Sequence, residues 1–424
     1  MDAREDLTSR LLEHLRAMWV TGEEAPLADA LEQRYRARGE VVRRVGDSLV
    51  VGGPQPSPDA GERPAVPSER WSGTRPLVLL VGHLDVVPPT DADRDPRVED
   101  RDGTEVVVGR GASDMKAGNV VAMRAFEDPA IRDHGAYDLA LVLYAGEEGP
   151  AEGNALRSVL RAVPWLADAM LAVVLEPTDG RVELGCLGGL HALVRFHGRQ
   201  AHSARPWHGR NALTMAGGLL ADLERDHVRD VEVEGIAYRD VWSATQGWSE
   251  GFGPGSDPTR PPFRNVIPGE FTVNLNLRFA PSRTLEAAEA ELRARVAAAV
   301  GTGDGEGQGQ GQGEAAGQAA AAGQAAGAGA GEVSVEVIDR APPTPPNRHA
   351  PVLQAFVDAV DAEVAGKQAW TDVARFAEIG VPACNYGPGL TGQAHQRGEY
   401  VPVDALVDAD TRLRRFLLPR GGGE

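Results

Sequence analysis

An α/β domain interrupted by a smaller α+β domain is the architecture the sequence predicts, and three observations predict it. Short, continuously apolar runs alternate with helical segments as far as Leu175. From about Gly188 the pattern turns to a β-α-β-β-α-β succession of the ferredoxin-like kind. Near Pro346 segments of the first kind return. The expected boundaries are 1–187 and 343–424 for the two parts of the α/β domain and 188–342 for the insertion.

Taken in order, Leu7, Leu11, Leu12, Leu15, Met18 and Trp19 fall on one face of an opening amphipathic helix. Residues 40–52 alternate as a strand does, and 53–76, rich in Pro, Gly and Ser, read as a surface loop. The runs 77–81, 139–144 and 171–175 are too short for helices and too uniformly apolar for half-exposed strands. Such runs suit the central strands of a sheet covered on both faces. Helices are expected between them at 117–127 and 152–169. In the insertion, strands are expected at 191–197, 264–267, 271–279 and 333–338, and helices at 211–225 and 285–300. Beyond it, 350–364 reads as a helix and 381–387 as a strand leading into a loop. Residues 301–331 hold 12 Gly and 10 Ala, too little apolar surface to offset ordering entropy, and are expected to be disordered and dispensable for catalysis.

Composition excludes several classes. Lys and Arg number 43 against 62 Asp and Glu, a net charge of −19, which argues against a nucleic-acid surface. No stretch approaches the roughly 20 apolar residues of a membrane helix. The first twenty residues carry Asp2, Arg4, Glu5, Asp6 and Arg10 where a signal peptide needs an apolar run. Cys186 and Cys384 make no disulfide framework, so the expected location is the cytoplasm. Only Lys116 and Lys367 are lysines, against 41 arginines. That bias removes arginine counts as a sign of anion recognition. Lys116 either stands where an ammonium is required or is one of two chance survivors.

Metal-capable side chains follow the buried runs. His83 and Asp85 follow 77–81, Glu147 and Glu148 follow 139–144, and Glu176 follows 171–175. In open α/β sheets, ligands bind outside the carboxyl ends of the strands. Asp114 lies just before a helix, and His395 in a Gly-rich loop after the last strand. Singly, each has an ordinary reading: a surface histidine, a solvated turn, a helix cap or a strand end. Together, metal-capable positions recurring at one topological edge point to a metal site. The donors are imidazole and carboxylate without thiolate, which disfavours a closed structural zinc site. A carboxylate such as Asp114 can bridge two ions, and two ions together activate water and polarise a carbonyl. Glu147 and Glu148 can divide the work, one binding metal and the other accepting the proton from water.

His83-Leu84-Asp85-Val86-Val87-Pro88, the stretch 109–118, Gly146-Glu147-Glu148, Glu176-Pro177-Thr178 and Ala394-His395 with Glu399 resemble the M20 metallopeptidase family. Within it the likeness runs to succinyl-diaminopimelate desuccinylases of the actinobacterial type, supported by 370–376, 385–389 and Ala201-His202-Ser203-Ala204-Arg205-Pro206. The resemblance implies a zinc-peptidase-like α/β/α catalytic domain with an inserted ferredoxin-like lid and dimerisation domain. It implies two zinc ions, with cobalt or manganese acceptable to the same donors. His83, Asp114 and Glu176 would serve one ion and Asp114, Glu148 and His395 the other. Asp85 would orient His83, Glu147 would be the general base, and the peptide after Asp114 would be cis. His202 would reach a partner's active site to stabilise the oxyanion.

Arg278, Asn265 and Thr371 match substrate-contact positions. Two departures stand out: Leu187-Gly188 occupies a stretch where better-known desuccinylases carry an arginine, and Arg205 stands where they carry a tyrosine. Leucine cannot bind a carboxylate as arginine does, and Arg205 is the candidate to compensate. The expected activity is hydrolysis of a small N-acyl amino acid, N-succinyl-LL-2,6-diaminopimelate first, by a homodimer. Competing readings are an acetylornithine deacetylase-like or aminoacylase/carboxypeptidase-like M20 enzyme, a pathway paralogue and, remotely, a non-catalytic binding protein on the same fold.

Overall fold

The computed structural model describes residues 2–17, 19–54, 70–71, 73–149, 152–256, 264–301 and 332–419. Beyond Gly301, the segment expected to be disordered lies outside the described residues, as do Met18 and most of the 53–76 loop. The chain divides into two compact units. The first comprises Met1–Cys186, Thr344–Lys367 and Thr371–Glu424, and the second Leu187–Pro343 with Gln368–Trp370.

The first unit is built on an eight-stranded sheet. Its order is Val42–Val45, Ser48–Val51, Asp138–Tyr144, Leu77–His83, Leu171–Val174, Ala383–Asn385, Val182–Leu184, Val364–Gly366. The four middle strands, from Asp138–Tyr144 to Ala383–Asn385, run parallel. Leu77 to Val81 are at most 1% exposed, as a strand covered on both faces requires. Each such side chain contributes about 1.5–3 kcal/mol by leaving water, so the strand ends are firmly placed.

The helix Ala117–Glu127 packs on this sheet, with Gly118 against the end of Leu171–Val174. A Cβ at Gly118 would stand 2.1 Å from the Leu175 carbonyl oxygen, and one at Gly387 would stand 2.5 Å from those of Leu175 and Glu176. Two glycines thus let main chain close on the Leu175–Glu176 segment from separate directions. The opening helix, Ala3–Arg16, is capped by the Asp2 carboxylate, which accepts from the Glu5 N–H. It buries Leu7, Leu11 and Leu15, whereas Trp19 lies beyond its end.

Several elements differ from expectation. Residues 40–52 form a hairpin, Val42–Val45 with Ser48–Val51, turning through Gly46 at φ 58°. The expected helix 152–169 narrows to Leu156–Ala162, followed by a 3₁₀ turn, Pro164–Asp168; Pro164 lacks the N–H that would continue the helix. The helix Pro351–Val360 stops at Asp361, φ 49°, before the strand Val364–Gly366. The helices Ala25–Ala37 and Val403–Leu417 are additional. So is a small sheet of Arg97–Arg101, Thr104–Val108 and Tyr400–Pro402.

The second unit holds an antiparallel sheet in the order Val228–Val233, Ile236–Ser249, Glu270–Phe279, Gly188–His197, Val333–Ala341. Leu219 and Leu223 of Gly217–Arg225 and Leu292 and Val296 of Leu285–Gly301 share its core with Val194, Phe196, Val273 and Leu275. The short strand expected at 264–267 does not join this sheet. Val266–Ile267 pairs instead with Ala201–His202, and Ile236–Ser249 takes the place beside Glu270–Phe279.

Candidate active site

The functional side chains of the first unit are placed by the ends of its central strands. His83 closes Leu77–His83, opposite Tyr144. Glu147 and Glu148 follow Asp138–Tyr144 through Gly146, which takes φ 77°, a conformation that favours glycine. Glu176 follows Leu171–Val174. Asp114 lies in the kinked turn Ala112–Lys116, and the Asp114–Met115 peptide is cis. His395, at φ 62°, follows the turn Thr391–Gln393.

These residues converge. His83 Nε2 lies 3.2 Å from Asp114 Oδ1, and His395 Nε2 lies 2.8 Å from Glu148 Oε2 and 3.7 Å from Asp114 Oδ2. Among the described residues, three sets offer ligand atoms within 4.8 Å of one another: His83, Asp114 and Glu176; Asp114, Glu148 and His395; His83, Glu147 and Glu148. Asp114 belongs to the first two. The third leaves Glu147 near enough to serve as a ligand as well as a base.

Electrostatics follow from this crowding. Burial disfavours a charged His83, but the Asp114 and Asp85 carboxylates outweigh it and hold its pKa well above the usual value. Burial, then the Glu176, Asp372 and Glu148 carboxylates, push Glu147 well above the usual carboxylate range. Burial and Asp114 push Glu176 up to about 8. Asp114 is lowered, because His83 outweighs its burial. Crowded carboxylates that retain protons lack counter-charge. The donors here are carboxylate oxygens and imidazole nitrogens, suited to zinc, cobalt or manganese. A divalent pair fits them.

Asp85 approaches His83 more closely with its main chain than with its carboxylate. Its carboxylate lies 3.6 Å from His83 Nδ1, whereas its main-chain carbonyl oxygen lies 3.0 Å away. The carboxylate instead accepts from the Glu147 N–H at 3.1 Å, the Glu148 N–H at 3.0 Å and Thr21 Oγ1 at 2.8 Å. One residue therefore holds both the imidazole and the two-glutamate turn.

Two further buried carboxylates, with no role expected from the sequence, hold segments of the site. Glu399 accepts from the N–H groups of Gly111, Ser113 and Asp114 at 2.8–2.9 Å and from Arg110, so it secures the loop that carries Asp114. Asp372, fully buried, accepts from Tyr144 Oη at 2.6 Å, Asn154 Nδ2 at 2.9 Å and Arg375 Nε at 3.1 Å. Their only sequence signal is membership of the quoted blocks.

Of the expected substrate contacts, Thr371 lies in the first unit, where its Oγ1 is buried without a hydrogen-bond partner among the described residues. The second unit carries the others. His202 is exposed on Ala201–His202, and its Nδ1 accepts from the Ala204 N–H at 3.0 Å. Arg205 and Asn265 adjoin it: the Arg205 N–H donates to His202 O, and Asn265 O accepts from the Ser203 N–H. Arg278 stands apart from that turn, on Glu270–Phe279 opposite Gly189.

The profile of Peptidase family M20/M25/M40 matches residues 79–418. The chain is 34% identical over 340 residues to the Mycobacterium tuberculosis protein named DapE, covering 80% of this chain and 82% of that one. It is 33% identical over 350 residues to succinyl-diaminopimelate desuccinylase of Corynebacterium glutamicum, covering 81% and 82%. Among solved structures, a Staphylococcus aureus tripeptidase matches with a TM-score of 0.69 at 14% identity over 98% of each chain. A Bacillus subtilis protein described as a dinuclear metal-binding peptidase of family M20 matches with a TM-score of 0.57 at 12% identity over 97% of each. A profile match over most of the chain, joined to this convergence of donors, leads to one assignment: the chain belongs to peptidase family M20/M25/M40 and is a metal-dependent hydrolase of amide bonds.

Proposed function

We propose that the protein hydrolyses N-succinyl-LL-2,6-diaminopimelate to LL-2,6-diaminopimelate and succinate, a step toward lysine and peptidoglycan precursors. The hydrolytic reading is carried by one observation: two sets of ligand atoms share Asp114, with Glu147 beside them. The choice of substrate is supported by the relatives at 33–34% identity.

His83, Asp114 and Glu176 would hold one zinc ion, and Asp114, Glu148 and His395 the other, supplying a polarised amide carbonyl and an activated water. Glu147 accepts the proton of the attacking water and returns it to the leaving amine nitrogen. Asp85 keeps Glu147 and Glu148 in register through their N–H groups. Arg278, Asn265 and Thr371 bind the substrate, and the Thr371 hydroxyl, buried without a hydrogen-bond partner among the described residues, supports its part. Arg205 takes the anionic end of the acyl group.

We place the enzyme in the cytoplasm, a reading supported by two buried, unpaired cysteines. No helix among the described residues is long and apolar enough to cross a membrane. The second unit serves as lid and dimerisation domain, and His202 of one copy donates to the oxyanion in the site of the other. Mixing Glu147→Ala and His202→Ala proteins, each inactive alone, then restores turnover as subunits exchange. Persistent inactivity in proven mixed dimers removes the action in trans.

Leu187, buried and apolar, favours a second reading in which the acyl group lacks a second carboxylate. Zinc-loaded protein tested on succinyl, acetyl and dipeptide substrates decides between them. Succinate release with the largest kcat/KM supports the first reading. Preference for an acetyl or dipeptide substrate replaces it while leaving the family intact.

A further inference from the structure

Lys116 and Lys367 are the two lysines of a chain with 41 arginines, and both are buried, at 0% and 7% exposure. Each donates to a main-chain carbonyl one residue beyond a member of the same ligand set. Lys116 Nζ donates to Leu84 O at 3.0 Å, immediately after His83. Lys367 Nζ donates to Pro177 O at 3.1 Å, immediately after Glu176, and pairs with buried Glu183 at 2.9 Å. Asp114, the remaining member, stands two residues before Lys116.

The choice of lysine has a physical reason at such places. Guanidinium is a wide planar fork suited to paired acceptors, whereas ammonium is compact and can direct single donors at single carbonyl oxygens within packed main chain. A chain that otherwise uses arginine as its cation keeps ammonium at two buried positions, and both adjoin His83, Asp114 and Glu176.

We infer that Lys116 and Lys367 are positioning residues for the His83, Asp114 and Glu176 set. Each ties the carbonyl that follows a ligand by a charge-assisted hydrogen bond. The ends of Leu77–His83 and Leu171–Val174 are thereby held at the spacing of the set before an ion arrives. Groups that orient ligands in this way change metal affinity by about 10- to 100-fold. The inference rests on the metal role proposed for these residues.

Lys116→Met and Lys367→Met retain an unbranched side chain but lose the donor. In competition with a chromophoric chelator, each variant should bind its first equivalent of zinc about tenfold or more weakly. Lys116→Arg and Lys367→Arg should not restore it. Unchanged affinity in both methionine variants overturns the inference. Since a buried substitution can prevent folding, a second measurement uses the unsubstituted full chain, metal-depleted and labelled at lysine side chains for NMR. Its two lysine signals should both shift during the first equivalent of zinc; stationary signals through two equivalents overturn the inference. Failure of the unsubstituted protein to take up zinc would overturn it together with the metal role itself, a result distinct from normal uptake in the variants.

Discussion

Glu147→Ala is expected to lower kcat by about a thousandfold while the protein still takes up two equivalents of divalent metal. The expectation rests on a division of work within a tight cluster. Both Asp114-containing sets are complete without Glu147, so its removal leaves each set its three protein donors. What disappears is the only other carboxylate of the Glu147–Glu148 turn, whose main chain Asp85 fixes on both N–H groups. Steady-state turnover with metal analysis on one preparation checks it. Near-normal turnover removes Glu147 as the base; loss of one equivalent of metal assigns it to the His83, Glu147 and Glu148 set instead.

The second large effect concerns Asp114. Asp114→Ala should leave less than one equivalent of metal bound after gel filtration and abolish turnover, whereas His395→Ala should retain one equivalent. Asp114 enters two ligand sets and its side chain is 12% exposed. His395 enters one and its side chain is 53% exposed. Losing the shared donor therefore opens both sets at once, and losing the exposed imidazole opens one. Two retained equivalents in Asp114→Ala would remove the bridging role.

The sequence made the middle of the sheet legible because Leu77 to Val81 and its neighbours are buried on both faces, and uniform apolarity records that burial directly. It also exposed His83, Glu147, Glu148 and Glu176, because they follow the buried strands directly, whereas Asp114 and His395, on a turn and a loop, stood out only in company with them. The hairpin Arg97–Arg101 with Thr104–Val108 left no comparable trace, because Arg97, Glu99 and Arg101 pair among themselves at its surface. Val228–Val233 is an edge strand with exposed Arg229, Asp230 and Glu232, so its alternation resembles a polar loop. The helix Val403–Leu417 did carry a signal: Val403, Leu406, Leu413, Phe416 and Leu417 recur at helical spacing. Asp85 was harder to read. Its main-chain carbonyl faces His83 while its carboxylate serves the glutamate turn, a distinction between atoms of one residue that no residue pattern encodes.

Strand order has a consequence for biosynthesis. Ala383–Asn385 lies between Leu171–Val174 and Val182–Leu184, so the stretch joining two early strands waits for a late one to arrive between them. A nascent chain emerging from the ribosome can therefore present His83, Asp114 and Glu176 long before the second cation's complement exists. Such long-range pairing is slow to form, so occupation of the Asp114, Glu148 and His395 set should follow release of the finished polypeptide.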